Sequence, residues 1–151
     1  MKRTFLLTLV AALILAGCTQ TMMEKRGPLE GVWDMQHQTF STPDTTVMWM
    51  KGKLTEQVKM FTKGYFSFVN MSPSGDMGDL EAHGGSGTYT VMGDTLTEIM
   101  QLGWTKEIIG AKLQYKVTVS GDTLVQEGPI NTDIPESWKG FHLKEIYLRL
   151  E

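Results

Sequence analysis

A short pattern that occurs twice constrains the fold of this chain more than any other feature. Residues 91–96 read VMGDTL, and residues 119–124 read VSGDTL. In each copy Gly-Asp separates two β-rich runs, where a left-handed backbone costs glycine nothing and aspartate little. We therefore expect a tight hairpin turn in each copy. The spacing between the copies fits two strands and two turns of an up-and-down antiparallel meander.

The segments around these turns alternate with a period of two rather than with helical spacing. Leu113, Tyr115, Val117 and Val119 share one face of a predicted strand, and polar residues occupy the other face. We predict strands near 30–40, 46–51, 57–62, 65–72, 86–92, 95–103, 112–120, 123–130 and 143–150. An eight-stranded barrel accommodates these nine segments if one is a bent continuation of another. Because closure removes sheet edges, we predict an all-β, single antiparallel up-and-down barrel.

Several motifs, taken in order, resemble those of a known family. Residues 29–33 (LEGVW) resemble the G-x-W opening of lipocalin and calycin barrels. Four further segments resemble, in their order, those of the lipocalin-like domains of small bacterial exported proteins and lipoproteins, most of which have no assigned activity. These segments are residues 59–69, 84–90, 121–123 and 136–139. The resemblance implies a barrel domain over residues 29–151 that is closed at one end by Gly31, Trp33 and Arg149. It implies no catalytic residues.

The N-terminus has the pattern of an export signal. Lys2 and Arg3 precede an apolar run, residues 5–15, that is too short to span a membrane. The run ends at residues 15–18 (LAGC), which resemble the lipobox of bacterial lipoproteins. That resemblance implies a signal peptide over 1–17, a lipidated Cys18 at the start of a flexible tether over 18–28, and membrane attachment. An ordinary signal peptide with a chance cysteine is the alternative.

The residue after the cysteine bears on location. Position 19 is Thr, and the Asp that resembles an inner-membrane retention signal in Gram-negative lipoproteins is absent. We therefore expect a lipid-anchored protein of the cell envelope, at the outer membrane and facing the periplasm.

Composition and dispersed polar residues argue against several classes of function. The chain has 14 Lys+Arg against 17 Asp+Glu, without the basic patch that nucleic-acid binding requires. An acylated Cys18 leaves no thiol for catalysis or metal binding. His37, His83 and His142 have no spacing typical of a metal site. We expect no enzyme, no cofactor and no metal.

The inside of an eight-stranded barrel can hold packed side chains or one small ligand. Tyr89 and Tyr115 are our candidates for orienting the polar end of such a ligand, and methionines can add an adaptable apolar lining. Two functions remain open: binding of a small hydrophobic or amphipathic molecule, or a filled barrel that contacts a protein partner. The candidate ligand-binding residues are Trp49, Phe66, Phe68, Tyr89, Trp104 and Tyr115, and the methionines are Met35, Met48, Met50, Met60, Met92 and Met100.

Charged residues and glycines in the predicted strands receive simpler interpretations. We expect Lys59 and Glu98 to lie on solvated faces. We expect the glycines of residues 84–87 to bring the chain from a loop into a strand.

Overall fold

The computed structural model describes residues 27–50, 56–74, 79–133 and 139–150. The predicted signal peptide, Cys18 and most of the predicted tether lie outside these residues. Nine strands and one short 3-10 helix, Lys106–Ile108, make up the described part of the chain. The strands are β1 Gly31–Ser41, β2 Thr46–Met50, β3 Glu56–Thr62, β4 Tyr65–Ser74, β5 Asp79–Met92, β6 Thr95–Leu102, β7 Lys112–Ser120, β8 Thr123–Asp133 and β9 His142–Arg149.

The strands form a closed antiparallel barrel. From β3 to β9 each strand pairs with the next, and β9 pairs along β1 from Trp33–Arg149 to Ser41–His142. The other edge of β1 carries β3 opposite residues 31–34 and β2 opposite residues 37–41. Because β2 and β3 share one edge of β1, nine strands fill eight positions around the barrel. The predicted all-β, eight-stranded up-and-down barrel is confirmed.

The predicted strands agree with the observed ones to within a few residues, except at β5. This strand begins at Asp79, so the glycines of residues 84–87 lie inside it, and their interpretation as a loop-to-strand entry is wrong. Phe66 pairs with Gly87 and Phe68 pairs with Gly85. A Cβ atom at Gly85 would lie 2.9 Å from a ring carbon of Phe68, and one at Gly87 would overlap the carbonyl oxygen of Ile99. These glycines make room for neighbouring strands and rings.

Three two-residue turns cluster at one end of the barrel, which we call the closed end. They are Lys63-Gly64, Gly93-Asp94 and Gly121-Asp122, and both predicted Gly-Asp hairpins are among them. Gly93 and Gly121 have φ angles of 63° and 57°, which explains why glycine stands there. Residues 42–45, 103–111 and 139–141 connect strands at the opposite end, which we call the open end.

The closed end is filled by Trp33, whose side chain is fully buried. Its indole N–H donates a hydrogen bond of 2.7 Å to the Leu29 carbonyl. Arg149 pairs with Trp33 across the β1–β9 ladder and lies 4.0 Å from the indole ring centre. The guanidinium also donates to the carbonyls of Glu30 and Pro28, at 2.6 and 2.8 Å. Trp33 and Arg149 therefore meet where the first and last strands of the barrel pair, whereas Gly31 lies opposite Phe61 of β3.

Candidate functional site

A cavity of about 260 Å³ occupies the half of the barrel nearer the open end. Its outer part lies where β1, β4, β5 and β9 approach the 103–111 connection. This part is mainly apolar but includes Asn70 and His83, and the His83 ring centre lies 6.4 Å from that of Trp104. Its inner part is polar, with side chains from β1, β3, β6, β8 and β9. The apolar lining consists of Phe40, Phe68, Met100, Trp104, Ile108, Leu113 and Leu143, and the polar lining of Gln38, Gln57, Lys59, Asn70, His83, Glu98, Tyr115, Gln126 and Glu145.

The six predicted ligand-binding residues do not all reach this cavity. Phe68, Trp104 and Tyr115 line it. Phe66 is buried in the core outside the cavity lining, with its ring centre 6.5 Å from that of Phe61. Tyr89 packs edge-on against Phe61 at 5.0 Å and lies beside Gly64 at the closed end. Trp49 lies in β2, where its backbone pairs with that of Gln38 in β1. The Trp49 side chain lies outside what the structure describes.

The methionines that we predicted to line the interior fall into two groups, buried and exposed, because side chains alternate between the two faces of a strand. Met35 and Met100 point inward and are buried. Met48, Met60 and Met92 are 54%, 39% and 80% exposed, so their assignment to the interior is wrong. Met60, for example, lies between two inward-facing residues, and successive side chains of a strand point to opposite faces.

A buried ion pair crosses the inner part of the cavity, contrary to the expectation that its members are solvated. Lys59 and Glu98 are 3% and 2% exposed, and the Lys59 Nζ lies 2.6 Å from Glu98 Oε1. The ammonium also donates to Gln126 Oε1 at 3.1 Å. The rings of Phe61 and Phe66 lie 5.2 and 5.4 Å from it. A charge this deeply buried is tolerated because it has a counter-ion and hydrogen-bond partners.

A second buried carboxylate, that of Glu145, ends a chain of hydrogen bonds. Asn70 donates to Gln57 Oε1, and the Gln57 amide donates to the Tyr147 hydroxyl at 2.6 Å. The Tyr147 hydroxyl donates to Glu145 Oε2 at 2.8 Å, and Gln38 Nε2 donates to Glu145 Oε1 at 2.8 Å. Every donor in this chain leads towards Glu145. This direction fits an ionised carboxylate, which only accepts hydrogen bonds.

Burial changes the acid strength of several groups around the cavity. It raises the pKa of Glu98, although the neighbouring Lys59 acts in the opposite direction. Burial, together with the charges of Glu98 and Glu145, raises the pKa values of Tyr115 and Tyr147 well above the usual 10.0. Both tyrosines therefore remain neutral phenols at physiological pH and can donate hydrogen bonds.

The alternation of side chains along the strands could have predicted that these polar residues are buried, but a search for apolar side chains misses them. Phe61 and Lys59 are two positions apart, as are Lys59 and Gln57, so an inward Phe61 requires both polar residues to point inward. In the same way, Glu98 lies midway between the buried Leu96 and Met100. An inward face anchored by apolar residues therefore identifies the buried polar ones.

The remaining polar groups are more exposed. On the outer face, Glu127 accepts from His142 at 3.1 Å and lies 3.4 Å from Lys144. The hydrogen bond from His142 lowers the pKa of Glu127 below its usual 4.5. Within the described ranges, no three His, Cys, Asp or Glu side chains are grouped so as to hold a metal ion.

In the part of the chain that the structure describes, no helix is long and apolar enough to cross a membrane.

Comparisons with known proteins give similarity to solved structures and no family. No family model matches this chain, and no curated protein matches it. The fold is similar to the crystal structure of a lipocalin-like protein from Bacteroides uniformis, with a TM-score of 0.46 and 22% sequence identity. The match covers 82% of this chain and 100% of that protein.

Proposed function

We propose that this protein is an exported, lipid-anchored binding protein that holds a small hydrophobic or amphipathic molecule inside its barrel. The observation that carries the proposal is the cavity of about 260 Å³, which combines a mainly apolar outer part with a polar inner part. Binding sites for small molecules typically have such an apolar lining with a few placed polar groups. The volume lies just below the range of about 300 to 1,000 Å³ that is typical of such sites. The ligand is therefore small.

The cavity also bears on the alternative function, a filled barrel that serves only as a surface for a protein partner. In a filled barrel, packed side chains occupy the interior at the density of a protein core. Here Phe68, Trp104 and Leu143 surround open space instead. Because an apolar lining with a few placed polar groups is typical of binding sites, we propose binding rather than catalysis as the role of this space.

The binding proposal is tested by occupying and then filling the cavity. Native mass spectrometry of the purified full chain should reveal a retained small molecule, and octanol should bind and alter tryptophan fluorescence. Leu143 lies at the outer part of the cavity, so Leu143→Phe should weaken octanol binding several-fold. Leu148→Phe is the matched control, because Leu148 lies on the same strand but is 44% exposed.

Two results would contradict the binding proposal. If the chain retains no molecule and octanol neither binds nor changes the fluorescence, the barrel is not a binding site of this kind. Equal octanol affinities for the Leu143→Phe and Leu148→Phe variants would place any binding outside the cavity.

Membrane attachment is proposed from the N-terminal pattern alone. With Cys18 acylated, several acyl chains would hold the protein at the membrane more firmly than the marginal binding of one chain. We expect the full chain to incorporate labelled palmitate and to fractionate with the outer membrane. Cys18→Ser should lose the label and appear in the soluble fraction. Retention of the label in that variant would contradict the proposal.

A further inference from the structure

The polar inner part of the cavity has one buried carboxylate more than it has cations. Lys59 already contacts Glu98 at 2.6 Å and Gln126 at 3.1 Å. Glu145 is 3% exposed and accepts from neutral donors, the Gln38 amide and the Tyr147 hydroxyl. No cation lies within ion-pair distance of Glu145 among the described residues. A buried carboxylate without a counter-ion is costly, and a cationic group would offset that cost.

An unpartnered acceptor lies next to this carboxylate. Gln38 is 7% exposed and lines the cavity. Its Nε2 donates to Glu145, which fixes the orientation of the amide and turns Oε1 away from Glu145. In the described part of the chain, Gln38 Oε1 has no hydrogen-bond partner. Buried acceptors of this kind nearly always have a donor. This oxygen is itself out of contact with open space, so a donor reaches it only if the Gln38 side chain shifts towards the cavity.

The same two strands carry an apolar pair above this polar pair. Gln38 lies directly opposite Glu145 in the β1–β9 ladder, and Phe40 lies opposite Leu143. Phe40 and Leu143 lie nearer the open end, and Phe40 stacks on Phe141 with ring centres 4.4 Å apart. A molecule that enters along these two strands meets Phe40 and Leu143 first and the acceptors of Gln38 and Glu145 last.

We propose that the cavity selects a small amphipathic amine, whose ammonium binds Glu145 and Gln38 Oε1 while its apolar part lies between Phe40, Leu143 and Trp104. The ammonium supplies both a positive charge and hydrogen-bond donors, which are the two things the inner part of the cavity lacks. An anionic head group has no such place, because the Lys59 ammonium is already bound by Glu98. This inference rests on the proposed function and names the chemical class of its ligand.

Three probes of equal chain length test the proposal by titration calorimetry with the purified full chain. Octylamine, octanol and octanoate share an eight-carbon chain and differ in head-group charge. We expect octylamine to bind at least about tenfold more tightly than octanol, as a hydrogen bond to a buried charge implies. Octanoate should bind most weakly.

Removing the Glu145 carboxylate should abolish the preference for octylamine over octanol and should change octanol binding little. Glu145→Gln keeps the size of the side chain, and it should weaken octylamine at least about tenfold while octanol changes less than about twofold. The control is Glu127→Gln, which removes the same charge from the outer face of the neighbouring strand β8 and should leave all three affinities unchanged. If Glu145→Gln does not fold, Gln38→Leu tests the other acceptor and should likewise weaken octylamine relative to octanol.

The outcomes separate this inference from the proposed function. If octylamine and octanol bind the wild-type chain equally, the amine proposal is wrong, although the cavity still binds ligands. Tighter binding of octanoate would also overturn the amine proposal and would indicate that an anion displaces Glu98 from Lys59. If none of the three probes binds, the proposed function itself fails.

Discussion

The two ends of this barrel are made of the same alternating strands but are filled differently. At the closed end, Trp33 fills the space between tight two-residue turns, and Arg149 covers its ring. Towards the open end, inward positions carry Gln38, Lys59 and Glu145, and a cavity remains between them. The connections at the open end are longer, since the 103–111 segment includes a 3-10 helix.

This difference indicates a separation of stability from binding. The closed end buries large apolar groups with satisfied hydrogen bonds, which is the arrangement that stabilises a fold most directly. The open half instead retains a buried ion pair and an unpartnered acceptor, which contribute little to stability. Substitutions that compare the two halves should therefore differ in what they change: the free energy of unfolding at the closed end, and ligand affinity at the open end.

The largest difference is expected between Trp33→Ala and Leu143→Ala. Trp33 is fully buried and donates to Leu29, so its loss should lower the free energy of unfolding by about 4 kcal/mol. Leu143 adjoins existing open space, so its loss should cost about 2 kcal/mol or less. Urea unfolding of the two variants measures both values. Equal losses would mean that the open half is packed as firmly as the closed end.

The next effect concerns the ion pair. Lys59→Met leaves Glu98 buried without its cation and should cost about 3 kcal/mol near neutral pH. The double variant Lys59→Met/Glu98→Leu should recover most of this loss, because no charge is then left unpaired. A double variant as unstable as the single one would show that the ion pair itself is needed for folding.

The stability of the Lys59→Met variant should change with pH in one direction. The pKa of Glu98 is raised in the folded state by burial, so the protonated carboxyl is the form that folding favours. The stability of Lys59→Met should therefore be highest below the usual Glu value of 4.5 and should fall as the pH rises through the raised pKa. Unfolding curves recorded from pH about 4 to about 8 follow this change. A loss of stability that is the same at every pH would contradict it.

The last comparison is between two glycines of β5. A Cβ at Gly87 meets the backbone of Ile99, which cannot move alone, so Gly87→Ala should cost about 3 kcal/mol. A Cβ at Gly85 meets the flexible end of Met100 and the Phe68 ring, both of which line the cavity, so Gly85→Ala should cost about 1 kcal/mol and weaken octanol binding. Thermal unfolding measures the stability loss of each variant, and calorimetry measures its affinity for octanol. A larger stability loss at Gly85 would reverse the proposed difference between the halves.

The sequence predicted the frame of the barrel well and its interior polar residues poorly. Strand positions followed from alternation, and the turns followed from Gly-Asp, because both are local properties of the backbone. Lys59 and Glu98 were expected at the surface because charged residues are almost never buried unless they are paired. Their partners lie on distant strands, and no local pattern shows that β3 and β6 bring them together.

Register irregularities account for another part of what the sequence did not show. The β1–β9 register shifts between Met35 and His37, and inward positions change there from Met35 to Gln38. Counting by two from Trp33 places His37 inside, which is incorrect. Likewise, β5 has a register shift between Ser86 and Gly87 that the glycine-rich sequence does not locate. Such bulges depend on the pairing partner as well as on the strand itself.

The extra residue in β1 also has a consequence for how this protein tolerates insertions and deletions. Gln36 occupies the irregular position and donates to the carboxylate and carbonyl of Asp34, on its own strand. Loss of this one residue would remove the irregularity and leave the pairing intact, because Met35 would still lie opposite Tyr147, and the next residue, His37, opposite Ile146. Gln38 would then still point inward opposite Glu145. A single-codon deletion at this position could thus be absorbed without a change in the chemistry of the cavity.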